Sequence, residues 1–256
     1  MCEREQAIRY FLDKCSEKYN DEAIKHINFN CNDRGNGNCK QYSMCYHKNN
    51  PNLEKYCGVD WVFYHWPSAN IIFEKTKNEI IKESIKAPTI DKVGWFGNIR
   101  SPFRDVIEHR TRQLLKEIGD KHPNLFDIVN IMPQHGRIDD TIPNYCSLPQ
   151  LIKYKYLIDI GGNGYSGRLK FLLFSRRPLL VVDRNYIEYF YTDLIPYKHY
   201  IPVKMDLSDL LEKVDWIQNN YEKSLEIADE AFKFSVANFT LDKLLERVYY
   251  VYNNLK

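Results

Sequence analysis

The chain has 256 residues, of which 44% are hydrophobic, and its 36 basic side chains nearly balance its 34 acidic ones. This length and composition predict one large or two modest domains with real hydrophobic cores. A net charge of +2 gives no indication of a surface for nucleic acid. The first residues are charged throughout, and no window holds the roughly 18 apolar residues that a spanning helix needs. The sequence therefore predicts neither export nor membrane insertion.

These features predict a cytoplasmic protein, with a secretory lumen left open. The abundance of Tyr, Asn, Ile and Lys is typical of AT-rich coding. Together with the predicted lack of a signal peptide, this composition favours an origin in a large DNA virus that replicates in the host cytoplasm.

The seven cysteines do not predict a metal site. Four of them lie in an Asn- and Gly-rich segment, but their gaps match no zinc knuckle. An odd number also excludes complete intramolecular pairing, so both reduced thiols and one or two disulfides stay open. The cysteines are Cys2, Cys15, Cys31, Cys39, Cys45, Cys57 and Cys146.

The first part of the chain alternates predicted helices and strands. Ser101 followed by Pro102 is typical of a helix start, and Gly119 of a helix end. In chain order the patterns predict a helix (3–18), a polar loop (28–56), a strand (59–64), a strand or turn that becomes a helix (71–85), a strand (92–97), a helix (101–119) and a strand (125–131).

The second part continues the alternation and ends in helices. Ser147 is predicted to cap a short helix. Beyond it the patterns predict a strand (156–160), a glycine-rich turn and helix, a strand (178–183), a helix (185–196), a strand (199–203) and three helices (206–255). We therefore expect an α/β fold of two Rossmann-like halves, 1–145 and 146–256, facing across a cleft, rather than one continuous sheet.

The stretch YLIDIGGNGYSGRLKFLLFSRRPLLVVD, residues 156–183, holds three glycines between two short apolar runs. The two runs are typical of buried parallel strands, and leucines at helical spacing between them predict a crossover helix. This segment is therefore a predicted βαβ unit.

The turn inside this unit is predicted to bind phosphate. Gly161, Gly162 and Gly164 let the backbone approach a ligand, and amides at a helix start favour an anion. Ser166 and Arg168 add a hydroxyl and a positive charge. The alternative is a tight turn with an ordinary surface arginine, because the glycines match neither the P-loop nor the dinucleotide fingerprint.

Longer segments carry a series of elements in a fixed order. KYKYLIDIGGNGYSGRLKFLL, IEYFYTDLIPYKHYIPVKMDLSDLLEKVDWIQNN and EIADEAFKF contain an N-x-x-S-x-R loop, an E-x-F-Y turn, a P-x-x-HY-x-PV strand and a DLSDL helix start. In this series the chain resembles glycosyltransferase family 90, which includes protein O-glucosyltransferases and fungal capsule-associated xylosyltransferases. FEKT and WFGNIRSPFRD resemble it in the first half, where Phe96 replaces the family's arginine. The resemblance covers about residues 60–250.

The resemblance implies a GT-B fold, with an acceptor-side domain at 1–145 and a donor domain at 146–256. It also implies a metal-independent, inverting transfer of a sugar, glucose or xylose, from a UDP-sugar to a hydroxyl of a protein or glycan. No other cofactor, nucleic acid or membrane span is expected.

A metal-free transferase must stabilise the departing diphosphate with fixed positive charge. The resemblance places Arg168, Ser166 and the amides of Gly162, Asn163 and Gly164 on one side of it. On the other side lie Arg100 and Ser101, at the predicted helix start. Arg104 would contact the donor or pair with a carboxylate of its own helix.

Two further residues match family elements. Glu188 would accept hydrogen bonds from the ribose hydroxyls, or would be a solvated carboxylate at a helix start. His199, beside apolar residues, is predicted to be a structural core residue.

The catalytic base is less well defined. Family members carry an aspartate in an R-D-[YW]-P element, and the matching YHWP of this chain places His65 there. Histidine can accept a proton near neutral pH. Asp60 is a second candidate, and altered or lost catalysis is a third possibility. A catalytically silent member that binds a nucleotide sugar or glycan is thus the alternative function, and a nucleotide-dependent oxidoreductase is disfavoured because the loop lacks G-x-G-x-x-G.

Overall fold

The computed structural model describes residues 2–35, 40–99 and 107–256, with side chains from residue 110 in the last range. Cys39 and three predicted site residues, Arg100, Ser101 and Arg104, lie outside the described residues. The strands are β1 (Phe29–Asn30), β2 (Tyr42–Ser43), β3 (Tyr46–His47), β4 (His65–Trp66), β5 (Ile71–Ile72), β6 (Ile90–Gly97), β7 (Phe126–Asn130), β8 (Tyr154–Asp159), β9 (Leu179–Val182), β10 (Tyr186–Ile187) and β11 (Ile201–Val203).

The helices are α1 (Glu3–Tyr19), α2 (Phe73–Ser84), α3 (Ile107–Lys121), α4 (Leu148–Leu151), α5 (Leu169–Leu172), α6 (Leu210–Asn219), α7 (Tyr221–Asn238) and α8 (Leu241–Leu255). Short 3₁₀ segments join several of them. Ser147 caps α4 as predicted, since its side chain accepts from the amide of Gln150 and the Gln150 side chain accepts from the amide of Ser147. None of the helices in the described ranges is both long enough and apolar enough to cross a membrane.

A five-stranded parallel sheet organises the protein. Its order is β11-β9-β8-β6-β7, and every neighbouring pair runs parallel. β8 and β9 are buried on both faces, which explains their continuous apolar sequences. Leu157 and Val181 enter one core with α1, α2 and α8, and Ile158 and Leu180 enter a second core with α3 and α6. Helices therefore cover both faces of the sheet.

The prediction of an α/β fold with a parallel sheet is confirmed. The preference for two separate halves over one continuous sheet was wrong, because strands from both sides of residue 145 belong to this sheet. β8 pairs directly with β6, with Tyr156 opposite Val93 and Leu157 opposite Gly94. The assignment of acceptor and donor domains at that boundary stays a prediction.

Two local predictions were also wrong. Residues 59–64 do not form a strand, since Trp61–Phe63 is a buried 3₁₀ turn. Residues 185–196 do not form a helix, because β10 pairs with β3 far away in the sequence. In both segments the tertiary surroundings override the local pattern.

The sheet has one position where the direction of strand addition reverses. The chain passes from β6 outward to β7, then returns to the other side of β6 as β8 and continues to β9 and β11. In open α/β sheets, ligands bind at the carboxyl ends of the two strands that flank such a reversal. The topology thus points to the segments that follow β6 and β8.

Candidate functional site

A cavity of about 840 Å³ lies where β6 and β8 end. Gly97 and Asn98 line it at the end of β6, and Gly162, Asn163 and Arg168 line it from the loop after β8. Its other walls include α1, β4, α2, α4 and the segment between β7 and α4. Its volume is within the range of roughly 300–1,000 Å³ that is usual for small-molecule sites.

Arg168 reaches from the loop after β8 to the neighbouring strand. Its Nη1 donates a hydrogen bond to the carbonyl oxygen of Phe96 at 2.6 Å, and its guanidinium lies 5.3 Å from the centre of the Trp95 ring. These two contacts hold Arg168 in the cavity lining, and its role in binding a ligand stays a prediction.

Arg112, on α3, is a second cation at this place that the sequence analysis missed. Its Nε donates to the carbonyl oxygen of Gly161 at 2.8 Å, and its Nη1 donates to that of Asn98 at 2.9 Å. The guanidinium lies 5.7 Å from the Trp95 ring centre, so Trp95 contacts both arginines. Its place on α3, three residues before buried Leu115, was the available signal for a side chain turned toward the sheet.

Neither arginine forms a salt bridge with a carboxylate among the described residues. Burial, together with the positive charge of Arg168, lowers the pKa of Arg112 to about 9, although Asp159 opposes this change. Burial also lowers the pKa of Arg168, although Asp159 opposes this change. Two guanidinium groups with so little compensation favour an anion between the ends of β6 and β8.

Asp159, at the end of β8, fixes the loop that carries Arg168. Its Oδ1 accepts a hydrogen bond from the Ser166 hydroxyl at 2.6 Å, and its Oδ2 pairs with Arg184 Nη2 at 2.6 Å. Asp159 and Arg184 are almost completely buried, as is Ser166. Burial opposes the charge of Arg184, but Asp159, Tyr191 and Glu188 together raise its pKa. The Ser166 hydroxyl therefore donates to the protein itself.

The glycine loop differs from the predicted phosphate cradle. The amide of Gly162 donates to the carbonyl oxygen of Tyr165 at 3.3 Å. Gly164 faces the N-terminal region, where a Cβ atom would lie only 1.6 Å from the carbonyl oxygen of Asp33. The helix that follows has four residues, too few for a useful dipole. The positive charge at the cavity thus comes from arginine side chains.

Asp60 and Glu188 do not line the cavity. Both carboxyl groups contact the ammonium group of Lys170, with Nζ 3.0 Å from Asp60 Oδ2 and 2.7 Å from Glu188 Oε1. All three side chains are buried, and Lys170 Nζ lies 5.8 Å from the centre of the ring of Tyr165, which lines the cavity. The structure therefore places the predicted second base and the predicted ribose ligand in one buried ionic cluster.

His65 also lies outside the cavity lining, although its neighbour Trp66 belongs to it. The Nε2 atom of His65 is 3.2 Å from the carbonyl oxygen of Glu3 on α1. His199 is buried, as predicted, and its Nδ1 accepts a hydrogen bond from the amide of Ile195 at 3.0 Å. Burial lowers the pKa of His199, which favours the neutral ring in that role.

Three carboxylates do line the cavity, namely Asp33, Glu79 and Asp140. Asp33 pairs with Arg4, whereas Glu79 and Asp140 are exposed. Within the described ranges, His, Cys, Asp and Glu side chains form no group of three that could hold a metal ion.

Comparisons with known proteins agree with the sequence patterns. A family model described as "Glycosyl transferase family 90" matches residues 25–254. Protein O-glucosyltransferase 3 of Homo sapiens is 44% identical over 78 residues, which are 30% of this chain and 15% of that protein. Protein O-glucosyltransferase 1 of Bos taurus is 35% identical over 152 residues, which are 57% of this chain and 39% of that protein.

Among solved structures, Anabaena Alr3699/HepE in complex with UDP-glucose resembles the chain with a TM-score of 0.42 and 11% identity, over 81% of this chain and 52% of that one. The alignments with the two O-glucosyltransferases span less than half the length of either relative. The family match, in contrast, extends from before β1 to the last turn of α8 and includes β6 and β8 together with Arg112 and Arg168. The chain belongs to glycosyltransferase family 90.

Proposed function

We propose that the protein transfers a sugar, glucose or xylose, from a UDP-sugar to a hydroxyl group of a protein or a glycan. The observation that carries this proposal is the convergence of Arg112 and Arg168 on the cavity at the strand reversal of the sheet. Family membership supports a sugar donor, and the two guanidinium groups supply the charge that a nucleoside diphosphate requires.

In the proposed reaction the acceptor oxygen forms a bond to the anomeric carbon from the face opposite the leaving group. The bond between that carbon and the β-phosphate oxygen breaks, and the diphosphate leaves with the electron pair. Arg112 and Arg168 stabilise the negative charge that develops there. In a transfer without a metal ion, these fixed guanidinium groups take the role of a divalent cation, and a base receives the acceptor proton.

One observation favours the second candidate, a member that binds a nucleotide sugar without transferring it. Neither His65 nor Asp60 lines the cavity, so neither candidate base is placed beside the proposed donor. Turnover separates the two functions. If the wild type releases UDP from UDP-glucose and His65→Ala does so only at the background rate, His65 is supported as the base. If the wild type and the variant both show only the background rate, a protein that binds a nucleotide sugar without transferring it is supported.

Donor binding is tested by calorimetry and thermal shift with UDP, UDP-glucose and UDP-xylose. We expect UDP to raise the melting temperature of the wild type, because a ligand bound by the folded state alone stabilises it. Arg168→Gln and Arg112→Gln should each weaken UDP binding at least about tenfold, since a charge-assisted contact contributes roughly 1.5–3 kcal/mol.

Arg110→Gln is the matched control, because Arg110 is an exposed arginine on the same helix as Arg112. It should bind UDP like the wild type. A wild type that binds no UDP, or arginine variants at the cavity that bind as tightly as Arg110→Gln, would contradict the proposal.

A further inference from the structure

Helix α1 precedes the part of the chain that matches the family, which begins at residue 25. Nevertheless, one of its side chains, Arg4, lines the cavity. Arg4 is thus a third arginine at the cavity, beside Arg112 and Arg168.

Arg4 fixes the segment around residues 31–34. Its Nη1 donates to Asp33 Oδ1 at 2.7 Å and to the carbonyl oxygen of Cys31 at 2.8 Å. Its guanidinium also lies 5.0 Å from the centre of the Trp61 ring. A single side chain thus holds one carboxylate and one main-chain carbonyl of this segment, with an aromatic ring beneath it.

The same segment packs directly on the glycine loop. Arg34 Nε donates to the carbonyl oxygen of Asn163 at 2.8 Å. The carbonyl oxygen of Asp33 occupies the space beside Gly164, where any Cβ atom would collide with it. The thiol of Cys45 also donates a hydrogen bond to this oxygen, with Sγ at 3.2 Å. Only glycine at position 164 permits such a close approach.

We propose that Arg4 is a positioning residue for the glycine loop, residues 161–168. It acts through Asp33 and Arg34, which press on Asn163 and Gly164 and so hold the loop that leads to Arg168. Helix α1 in this way supports the loop that carries Arg168. The consequence for donor affinity rests on the proposed function, whereas the consequence for loop order does not.

Hydrogen exchange of the peptide that covers residues 161–168 tests loop order directly. We expect Arg4→Gln to raise its exchange rate severalfold, because the segment that packs on it loses both contacts of Arg4. Gly164→Ala should raise it too, since the new methyl group must displace Asp33, and the double variant should exchange little faster than either single variant. Arg9→Gln, which removes an exposed arginine of the same helix, should leave the rate unchanged.

UDP titration of the same variants tests the link to the donor. We expect Arg4→Gln to raise the Kd for UDP about tenfold, because small displacements of a site cost large factors. Arg4→Lys should restore part of this loss, since a lysine keeps a charge beside Asp33. Both comparisons are made under conditions in which all variants are fully folded. A loss of global stability then does not raise the exchange rate of the loop or the Kd for UDP.

Loop exchange in Arg4→Gln that equals that of Arg9→Gln would overturn the positioning role. Faster loop exchange in Arg4→Gln, in a protein whose wild type binds no UDP, would sustain the positioning role and overturn the proposed function. Faster exchange with an unchanged Kd for UDP would remove Arg4 from the donor site.

Discussion

Lys170 shows how a single buried cation constrains two residues that were predicted to act on substrates. Its ammonium group contacts both Asp60 and Glu188 in a cluster closed to water. One positive charge cannot neutralise two carboxylates, and burial penalises the excess negative charge. Burial therefore raises the pKa of Glu188 to about 8, although Lys170 opposes this. Glu188 Oε1 contacts Lys170, whereas the second oxygen of Asp60, Oδ1, is buried without a hydrogen-bond partner.

This raised pKa predicts a pH-dependent stability that Glu188→Gln should remove. The usual pKa of a glutamate is 4.5, so the folded protein holds the proton of the Glu188 carboxyl group more tightly than the unfolded chain does. The resulting contribution is complete below about pH 4.5 and is lost as the pH rises toward about 8. Relative to Glu188→Gln, the free energy of unfolding of the wild type should therefore fall between pH 5 and pH 8.

Urea unfolding at several pH values measures this difference. Glu117→Gln, on the exposed side of α3, is the control and should show a constant difference from the wild type. A constant difference for Glu188→Gln as well would mean that the pKa of Glu188 is not raised in the folded protein.

At the scale of secondary-structure elements, Arg177 joins the ends of helices from separate parts of the chain. It donates to the carbonyl oxygen of Ile152 after α4 at 2.9 Å, to that of Ser84 at the end of α2 at 3.2 Å, and to that of Lys86 at 2.5 Å. Carbonyl groups at helix ends lack intrahelical partners and must be satisfied in another way. One buried side chain does this for both helices.

We expect Arg177→Met to lower the free energy of unfolding by about 3 kcal/mol or more, because it leaves several buried carbonyl groups unpaired at roughly 1–3 kcal/mol each. Arg176→Met is the adjacent control. Arg176 is exposed, and its one described contact places Cζ 3.9 Å from the centre of the Phe232 ring. Arg176→Met should therefore lower the free energy of unfolding by at most about 1 kcal/mol. Chemical denaturation checks both values, and equal losses would show that the Arg177 contacts contribute little.

The sequence predicted elements well where the pattern is local. The strands of the βαβ unit were expected at 156–160 and 178–183 and lie at Tyr154–Asp159 and Leu179–Val182. Long-range pairing was beyond the local pattern, as β10 shows by pairing with β3. The crossover helix also proved shorter than expected, because much of the segment before Leu169 is used as a loop.

At the scale of the whole molecule, the site could be predicted only in part, because it depends on the order of the strands. The glycine loop and Arg168 were found from spacing, since both follow one apolar strand. Arg112 was missed because only the pairing of β6 with β8 brings α3 and this loop to the same edge of the sheet. Asp60 and Glu188 were chosen for their chemistry, but packing with Lys170 decides what they contact.

Three guanidinium groups, those of Arg112, Arg168 and Arg184, interact with one another and with the carboxylate of Asp159, and Arg184 also interacts with that of Glu188. A concentration of charge of this kind does not distinguish strongly among small multivalent anions, and dissolved ions screen it. Sulfate and inorganic phosphate in a buffer should consequently compete for the cavity, and affinities measured in phosphate-buffered saline would be too weak. Ligand affinities of this protein should therefore be measured in a low-salt zwitterionic buffer.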